Sequence, residues 1–141
     1  MTTAVERVTE RAHRNGDPDD PATIRPLLTL EEFFDGNEAD GSIWCNLPDM
    51  PTVAEVFKIL SAIRSKEEVA DIRVEVTTFD DPDWPFSDSV WVITSADAET
   101  VKSWFSEDRA PDYVTVGWRE DSIFEPVEVP QGMHPVLCWW D

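Results

Sequence analysis

The hydrophobic positions along the chain predict two amphipathic helices. The clearest pattern follows Thr52 and runs to about Lys66, with apolar residues three and four positions apart, as on one face of a helix. Its apolar positions are Val53, Val56, Phe57, Leu60 and Ile63. The second apolar stripe consists of Ala98, Val101, Trp104 and Phe105. Each helix is expected to bury one side and leave the other in water.

Alternating apolar and polar residues predict the strands, because successive side chains of a strand point to opposite faces. The predicted strands are residues 41–47, 72–77, 89–94, 113–118 and 136–140. With the two helices, the order is β-α-β-β-α-β followed by one more strand. This order predicts an α+β fold of the ferredoxin-like, split βαβ kind (βαββαβ), with an extra C-terminal strand. Both helices should cover one face of an antiparallel sheet. If residues 41–47 form a loop, the core pattern is only αββαβ.

The N-terminal residues 1–28 are predicted to be a flexible polar tail, and residues 29–141 a single α+β domain. The sequence Asn15-Gly16-Asp17-Pro18 interrupts any regular element in the tail. Order is expected to begin at Thr29, where Thr29 and Glu32 have the spacing of a capping box at the start of a short helix.

The predicted sheet leaves one face without helices, and several chemically useful residues are expected on it. If Val90 and Val92 face the helices, Trp91 points to the open face, and Trp44 of the first predicted strand joins it. Arg73 and Glu75 alternate onto the same face, where Arg73 could stack on Trp91 and Glu75 could act as a general base. Three covers are possible for this face: the C-terminal segment, a second copy of the chain, or a ligand or partner protein.

A second candidate for binding is the loop of residues 79–88. It holds four aspartates around two large aromatic residues, Trp84 and Phe86, and two prolines stiffen it. Aromatic residues ringed by charge are typical of a protein-binding hot spot. The alternative is that Trp84 and Phe86 tuck under the loop and close the end of the core.

The net charge of the chain is −19 at pH 7. Nucleic-acid binding and attachment to anionic membranes both depend on Lys and Arg, so neither is expected. The field of the protein favours a basic protein partner. A general acidic bias of the source proteome explains the same charge and stays open as an alternative.

The sequence carries no common catalytic signature, and no cofactor or metal site is predicted. His134 is the one histidine outside the tail, and it more often packs or faces solvent than catalyses. Cys45 and Cys138 are expected to be reduced, because the chain has no long apolar run and its first residues do not resemble a signal peptide. These features together predict a cytoplasmic protein.

One resemblance accompanies these predictions. Residues 28–37 (LTLEEFFDGN) and 41–47 (GSIWCNL), with the Trp84-Pro85 loop and the Trp139-Trp140-Asp141 ending, resemble a set of small acidic proteins of high-GC bacteria. That family has no assigned activity. The resemblance implies a bacterial cytoplasmic protein and assigns no functional residue.

The hypothesis that the sequence favours is a non-enzymatic interaction or inhibitor-type module that engages a basic protein. Its candidate binding residues are Trp44, Arg73, Glu75, Trp84, Phe86 and Trp91. Two alternatives remain. One is a small-ligand-binding or enzymatic homodimer formed through the open sheet face, and the other is a protein with no dedicated site.

Overall fold

The computed structural model describes residues 2–79, 82–120 and 122–141. In these ranges the chain forms four helices and five strands. They are α1 (Ala4–Ala12), β1 (Leu27–Thr29), α2 (Leu30–Phe34), α3 (Val53–Arg64), β2 (Val69–Glu75), β3 (Ser89–Thr94), α4 (Ala98–Ser103), β4 (Tyr113–Val116) and β5 (His134–Trp139).

The five strands form one antiparallel sheet in the order β1-β2-β3-β5-β4. Its central strand, β3, is buried along its whole length. The prediction of a mixed helix and strand fold with an antiparallel sheet is confirmed. The ferredoxin-like order is not confirmed, because the position between β3 and β4 belongs to the C-terminal strand β5 and not to residues 41–47.

Residues 41–47 were predicted to be the first strand, and that prediction is wrong. The backbone adopts positive φ at Gly41 (91°) and at Trp44 (59°), which an extended strand does not allow. Ile43 makes a single isolated bridge to Ser87. The alternating pattern therefore reflects a buried loop that sends Ile43 and Trp44 into the core, not a pleated strand.

The helices pack on one face of the sheet, as predicted. Helix α3 begins at its N-cap Thr52, whose side chain accepts the N–H of Glu55, and it buries Val53, Val56, Leu60 and Ile63. These side chains share one core with Val101 of α4 and with the inward residues of the sheet. The inward sheet residues include Ile72, Val74, Val90, Val92, Val136 and Cys138.

Helix α1 differs from the flexible tail that the sequence predicts. Val8 and Ala12 are each 2% exposed and belong to the main core. Where α1 crosses the end of α2, Gly36 has φ of +76°, and a Cβ there would lie 2.5 Å from the Cβ of Ala4. The tail prediction rested on local polarity, whereas residues distant in sequence hold this helix in place.

Candidate functional site

The face of the sheet opposite the helices carries the residues that the sequence places together. In the strand register Arg73 lies opposite Trp91, and Trp91 lies opposite Leu137. Leu27, Trp91 and Leu137 form a second buried apolar cluster, separate from the main core. The predicted side-chain parity of β2 and β3 therefore matches the structure, with Val90 and Val92 toward the helices and Trp91 away from them.

A segment between β4 and β5 covers this face. We call residues 118–120 and 122–127 the covering segment. The ring of Trp118 lies 4.7 Å from that of Trp91, and the ring of Phe124 lies 5.4 Å from it. Backbone hydrogen bonds join Arg25 to Ile123 and Glu125, which fixes the segment beside β1. Of the three covers considered for the face, the structure shows the chain's own, although it precedes β5 and is not the C-terminal end.

Glu75 is the most deeply buried charged residue of this face, with 1% of its surface exposed. Its carboxylate accepts hydrogen bonds from the indole Nε1 of Trp91, at 2.8 Å, and from the guanidinium of Arg119. The Nε of Arg25 lies 3.6 Å from the same carboxylate oxygen as Arg119. A buried carboxylate needs such partners, because an unpaired charge in the interior is very costly.

This arrangement suits a structural role for Glu75 better than proton transfer. A general base must reach the proton that it abstracts, directly or through one water. The Glu75 carboxylate instead lies under the covering segment, and its lone pairs already face two cations and an indole N–H. We therefore describe Glu75, Trp91, Arg119 and Arg25 as the Glu75 cluster, which joins the sheet to its cover.

Arg73 does not stack on Trp91 as the sequence suggested. Its Nε donates to Asp71 at 2.8 Å, and its Nη1 donates to the carbonyl of Leu27. These contacts run along the surface of β2 and toward β1. The arginine that reaches the aromatic cluster is Arg119, whose guanidinium lies 5.5 Å from the ring centre of Phe124.

Two of the predicted binding residues lie in the main core: Trp44, which was predicted on the open face, and Trp84, which was predicted on the loop of residues 79–88. They are 0% and 2% exposed. Trp44 packs against Trp140 and Phe105, with ring centres 4.6 and 6.0 Å away. Neither indole N–H has a hydrogen-bond partner within the described ranges. Trp84 is therefore buried under its loop, as in the alternative to a binding role that the sequence left open.

Phe86 is half-buried, and its backbone bonds to Thr77 and Thr78. Asp80 and Asp81 of the same loop lie outside the described residues. The structure therefore brings together Arg73, Glu75 and Trp91, and it separates them from Trp44 and Trp84. Whether any of these residues binds a partner stays a prediction.

The sequence reasoning missed Arg25, Arg119, Trp118 and Phe124. Arg25 was assigned to the tail and Trp118 to the end of a predicted strand, and Arg119 and Phe124 follow that strand in residues that show no periodicity. The one available signal was chemical. A glutamate on the apolar side of a buried strand requires a cation, and the chain has eight arginines from which to choose.

The other residues with reactive side chains lie apart from one another. His134 Nε2 lies 2.6 Å from the carbonyl oxygen of Ala96, so this nitrogen donates. Cys45 is exposed and Cys138 is buried, both as free thiols, and burial raises the pKa of Cys138 to about 12. Within the described ranges, no group of three or more His, Cys, Asp or Glu side chains is placed to hold a metal ion.

A second buried ion-pair group holds α1 to the rest of the chain. Arg11 is 8% exposed, and its guanidinium donates to Glu32 at 2.7 Å and to both carboxylate oxygens of Glu125. Glu125 also accepts the backbone N–H of Leu27. One arginine thus connects α1, α2 and the covering segment.

Acid is expected to weaken this Arg11 group. Burial by itself raises the pKa of Glu32 and Glu125, but hydrogen bonds from Arg11 and from the backbone N–H groups of Thr29 and Leu27 outweigh it, and both pKa values fall below the ordinary 4.5. Because the folded-state pKa is lowered, the stabilisation is complete above pH 4.5 and is lost as the pH falls through the folded-state values.

We therefore expect the free energy of unfolding, measured by urea denaturation, to decrease below about pH 4.5. Relief of the overall negative charge acts in the opposite direction, so the comparison must be with a variant. Glu125→Gln removes one titrating carboxyl and should show a shallower decrease over the same pH range. Identical pH dependence of the two proteins would contradict the assignment.

The comparisons with known proteins support one classification. Residues 3–138 match the family described as the uncharacterized protein YfbO family. The chain belongs to the YfbO family. It is 50% identical over 139 residues to the uncharacterized protein YfbO of Escherichia coli (strain K12), and the similarity covers 99% of each chain. No solved structure matches the chain.

Membership of the YfbO family supports the sequence resemblance in part. The family description names no activity, so it transfers no functional residue, and an origin in high-GC bacteria is not shown. The family match includes the covering segment and also α1, which the tail prediction had set apart from the domain. None of the helices in the described ranges has the length and apolar character needed to cross a membrane.

Proposed function

We propose that this YfbO-family protein is a non-enzymatic interaction module that engages a basic protein partner through its carboxylate-rich surface. The observation that carries the proposal is that most of its arginines are paired with carboxylates of the same chain. Among the residues that the structure describes, six of the chain's eight arginines form salt bridges with its own carboxylates. They are Arg11, Arg25, Arg64, Arg73, Arg109 and Arg119.

Pairing within the chain leaves few unpaired cations at the surface. With a net charge of −19 and most guanidinium groups already paired with carboxylates, little cationic surface remains to offset the other carboxylates. A potential of one sign attracts a partner of the opposite sign and speeds its association, and it repels other acidic proteins. The same field opposes binding to nucleic acids and to anionic lipids.

The apolar anchors of such a contact differ from those that the sequence suggested. Trp44, Trp84 and Trp91 are buried and are not available without unfolding. The exposed large apolar residues include Tyr113, Val116, Trp118 and Ile123, which are 54%, 51%, 37% and 59% exposed. All four lie in β4 or in the segment after it. Aromatic residues at the surface next to charge are the usual anchors of protein interfaces.

The alternative of a sheet-to-sheet homodimer with a ligand between the sheets receives less support. That arrangement needs the face of Trp91 and Leu137 to be open, and the covering segment occupies it. A dimer of that kind would have to displace Trp118 and Phe124 and expose the buried carboxylate of Glu75.

Affinity capture from the source cell tests the proposal. The full chain is immobilised, and bound proteins are identified at about 0.1 M and about 1 M salt, over which the screening length falls from about 10 to about 3 Å. We expect a protein rich in Lys and Arg that binds at low salt and is released at high salt. The purified protein should then bind the chain directly, with the same salt dependence. Capture of no basic protein, or binding that salt leaves unchanged, would contradict the proposal.

A further inference from the structure

The free edge of β4 is the second feature that bears on binding. In the sheet order β1-β2-β3-β5-β4, the strands β1 and β4 form the two edges. The β1 edge is only three residues long, and Arg25, two residues before the strand, is already bonded to the covering segment. The β4 edge pairs with β5 on one side. Its other side, four residues long, is therefore the longer open edge of the described sheet.

The register shows which backbone groups this edge presents. The N–H of Gly117 donates to the carbonyl of Pro135 at 2.8 Å, so residue 117 points its backbone groups toward β5. Because these directions alternate along an antiparallel strand, the N–H and C=O groups of Val114 and Val116 point away from β5. Within the described ranges, no hydrogen bond outside the sheet reaches these two residues.

The composition of β4 favours pairing with another strand. Its sequence Tyr-Val-Thr-Val is rich in β-branched and aromatic residues, which suit an extended backbone. Natural edge strands usually carry Lys, Pro or a bulge that blocks such pairing, and β4 has none of these. The side chain of Tyr113 is already ordered, since its ring stacks on Trp139 at 5.1 Å.

The charges of a neighbouring groove indicate which kind of segment could pair with the β4 edge. A groove of about 660 Å³ lies between α4 and the segment that leads into β4. Its floor includes Phe105 and Pro111, and its charged residues are Glu99, Glu107, Asp112 and Lys102. Three carboxylates against one ammonium favour a cationic side chain. A second copy of the chain would bring the same carboxylates and another net charge of −19, so it fits this groove poorly.

We infer that the β4 edge accepts an extended segment containing Lys or Arg as a sixth strand of the sheet, with a basic side chain in the groove of Glu99 and Glu107. This inference rests on the proposed function and names its contact surface. Main-chain bonds to Val114 and Val116 would supply affinity, and the groove would supply selectivity.

The test uses synthetic peptides and the full chain. The probe is a fluorescent peptide of alternating lysine and valine, about six residues long. A peptide of the same charge with proline in place of valine cannot add as a strand, and a glutamate and valine peptide has the wrong charge. We expect only the first to bind and to slow amide hydrogen exchange at Val114 and Val116. The Gly117 amide serves as internal reference, because it is already bonded.

Two variants locate the site. Val116→Pro removes an outward N–H while keeping the bonds toward β5, and it should weaken binding about tenfold. Where that variant fails to fold, the pair Glu99→Gln and Glu107→Gln gives an independent test, with weakening of about fivefold at low salt. The matched control is the pair Glu10→Gln and Asp19→Asn, which makes the same charge change ahead of β1 and should alter binding less than about twofold.

The outcomes separate this inference from the proposed function. Equal weakening by the two charge pairs, or binding without protection of Val114 and Val116, would overturn the edge site and leave a basic partner possible elsewhere on the surface. Failure to capture any basic protein would overturn the proposed function instead. Protection of the same amides without peptide, together with a dimer in light scattering, would show that a second copy occupies the edge and would also overturn the inference.

Discussion

Replacing Glu75 with alanine is expected to lower the free energy of unfolding by about 3–5 kcal/mol, because removing one partner of a buried ion pair leaves the other charges uncompensated. The substitution would leave the guanidiniums of Arg119 and Arg25 facing each other and would deprive the indole N–H of Trp91 of its acceptor. Urea denaturation, followed by circular dichroism and tryptophan fluorescence, measures the loss.

Two controls give this result its meaning. Glu75→Gln keeps an oxygen acceptor for Trp91 and should cost less than the alanine variant. Glu31→Gln disrupts a salt bridge with Arg64 at the surface, where Glu31 is half exposed, and should cost no more than about 1 kcal/mol. A loss for Glu75→Ala as small as that for Glu31→Gln would mean that the Glu75 cluster does not hold the covering segment on the sheet.

The part of the site that the sequence predicts is the part set by strand parity. Residues of β2 and β3 alternate between the helix face and the opposite face, so the positions of Arg73, Glu75 and Trp91 follow once Val90 and Val92 are assigned to the core. The same reasoning predicts α3, where helical spacing and an N-cap coincide. Local pattern decides these elements because the two periodicities, 2 and 3.6, are distinct over six or more residues.

The rest depends on contacts between residues far apart in sequence, which local pattern does not carry. Helix α1 has weak apolar character, and its position is fixed by Arg11 pairing with Glu125, which lies 114 positions away. The covering segment has no regular structure, and the Glu75 cluster and the backbone of Arg25 anchor it. Burial and ion pairs thus fix the positions of α1 and the covering segment, which no periodic pattern in the sequence predicts.

These two ion-pair groups also link the fold to the proposed function. Arg11 pairs with Glu125 of the covering segment, and Arg25 and Arg119 pair with Glu75 of the sheet beneath it, so these cations stabilise the interior of the fold. Each arginine used in this way is already paired and does not offset carboxylates elsewhere on the surface. The way in which the sheet is covered therefore leaves fewer unpaired cations to interrupt the negative surface that would attract a basic partner.

Replacing Trp44 with alanine is expected to lower the free energy of unfolding by about 3–5 kcal/mol, the usual cost of removing a large buried aromatic side chain. Trp44 is fully buried and joins Trp140 and Phe105, so its loss would leave a cavity in the main core. Alanine would also have to adopt the positive φ of 59° that the loop imposes at this position. Urea denaturation again provides the measurement.

The matched variant is Tyr113→Ala, because Tyr113 is 54% exposed and its main contact is the stacked ring of Trp139. That contact is worth about 1 kcal/mol, so Tyr113→Ala should leave a stable protein. The two substitutions should affect different properties. Tyr113→Ala should weaken binding of the basic peptide with little loss of stability, while Trp44→Ala should lose stability without a specific loss of binding in the molecules that remain folded. The reverse pattern would return Trp44 to the binding surface where the sequence first placed it.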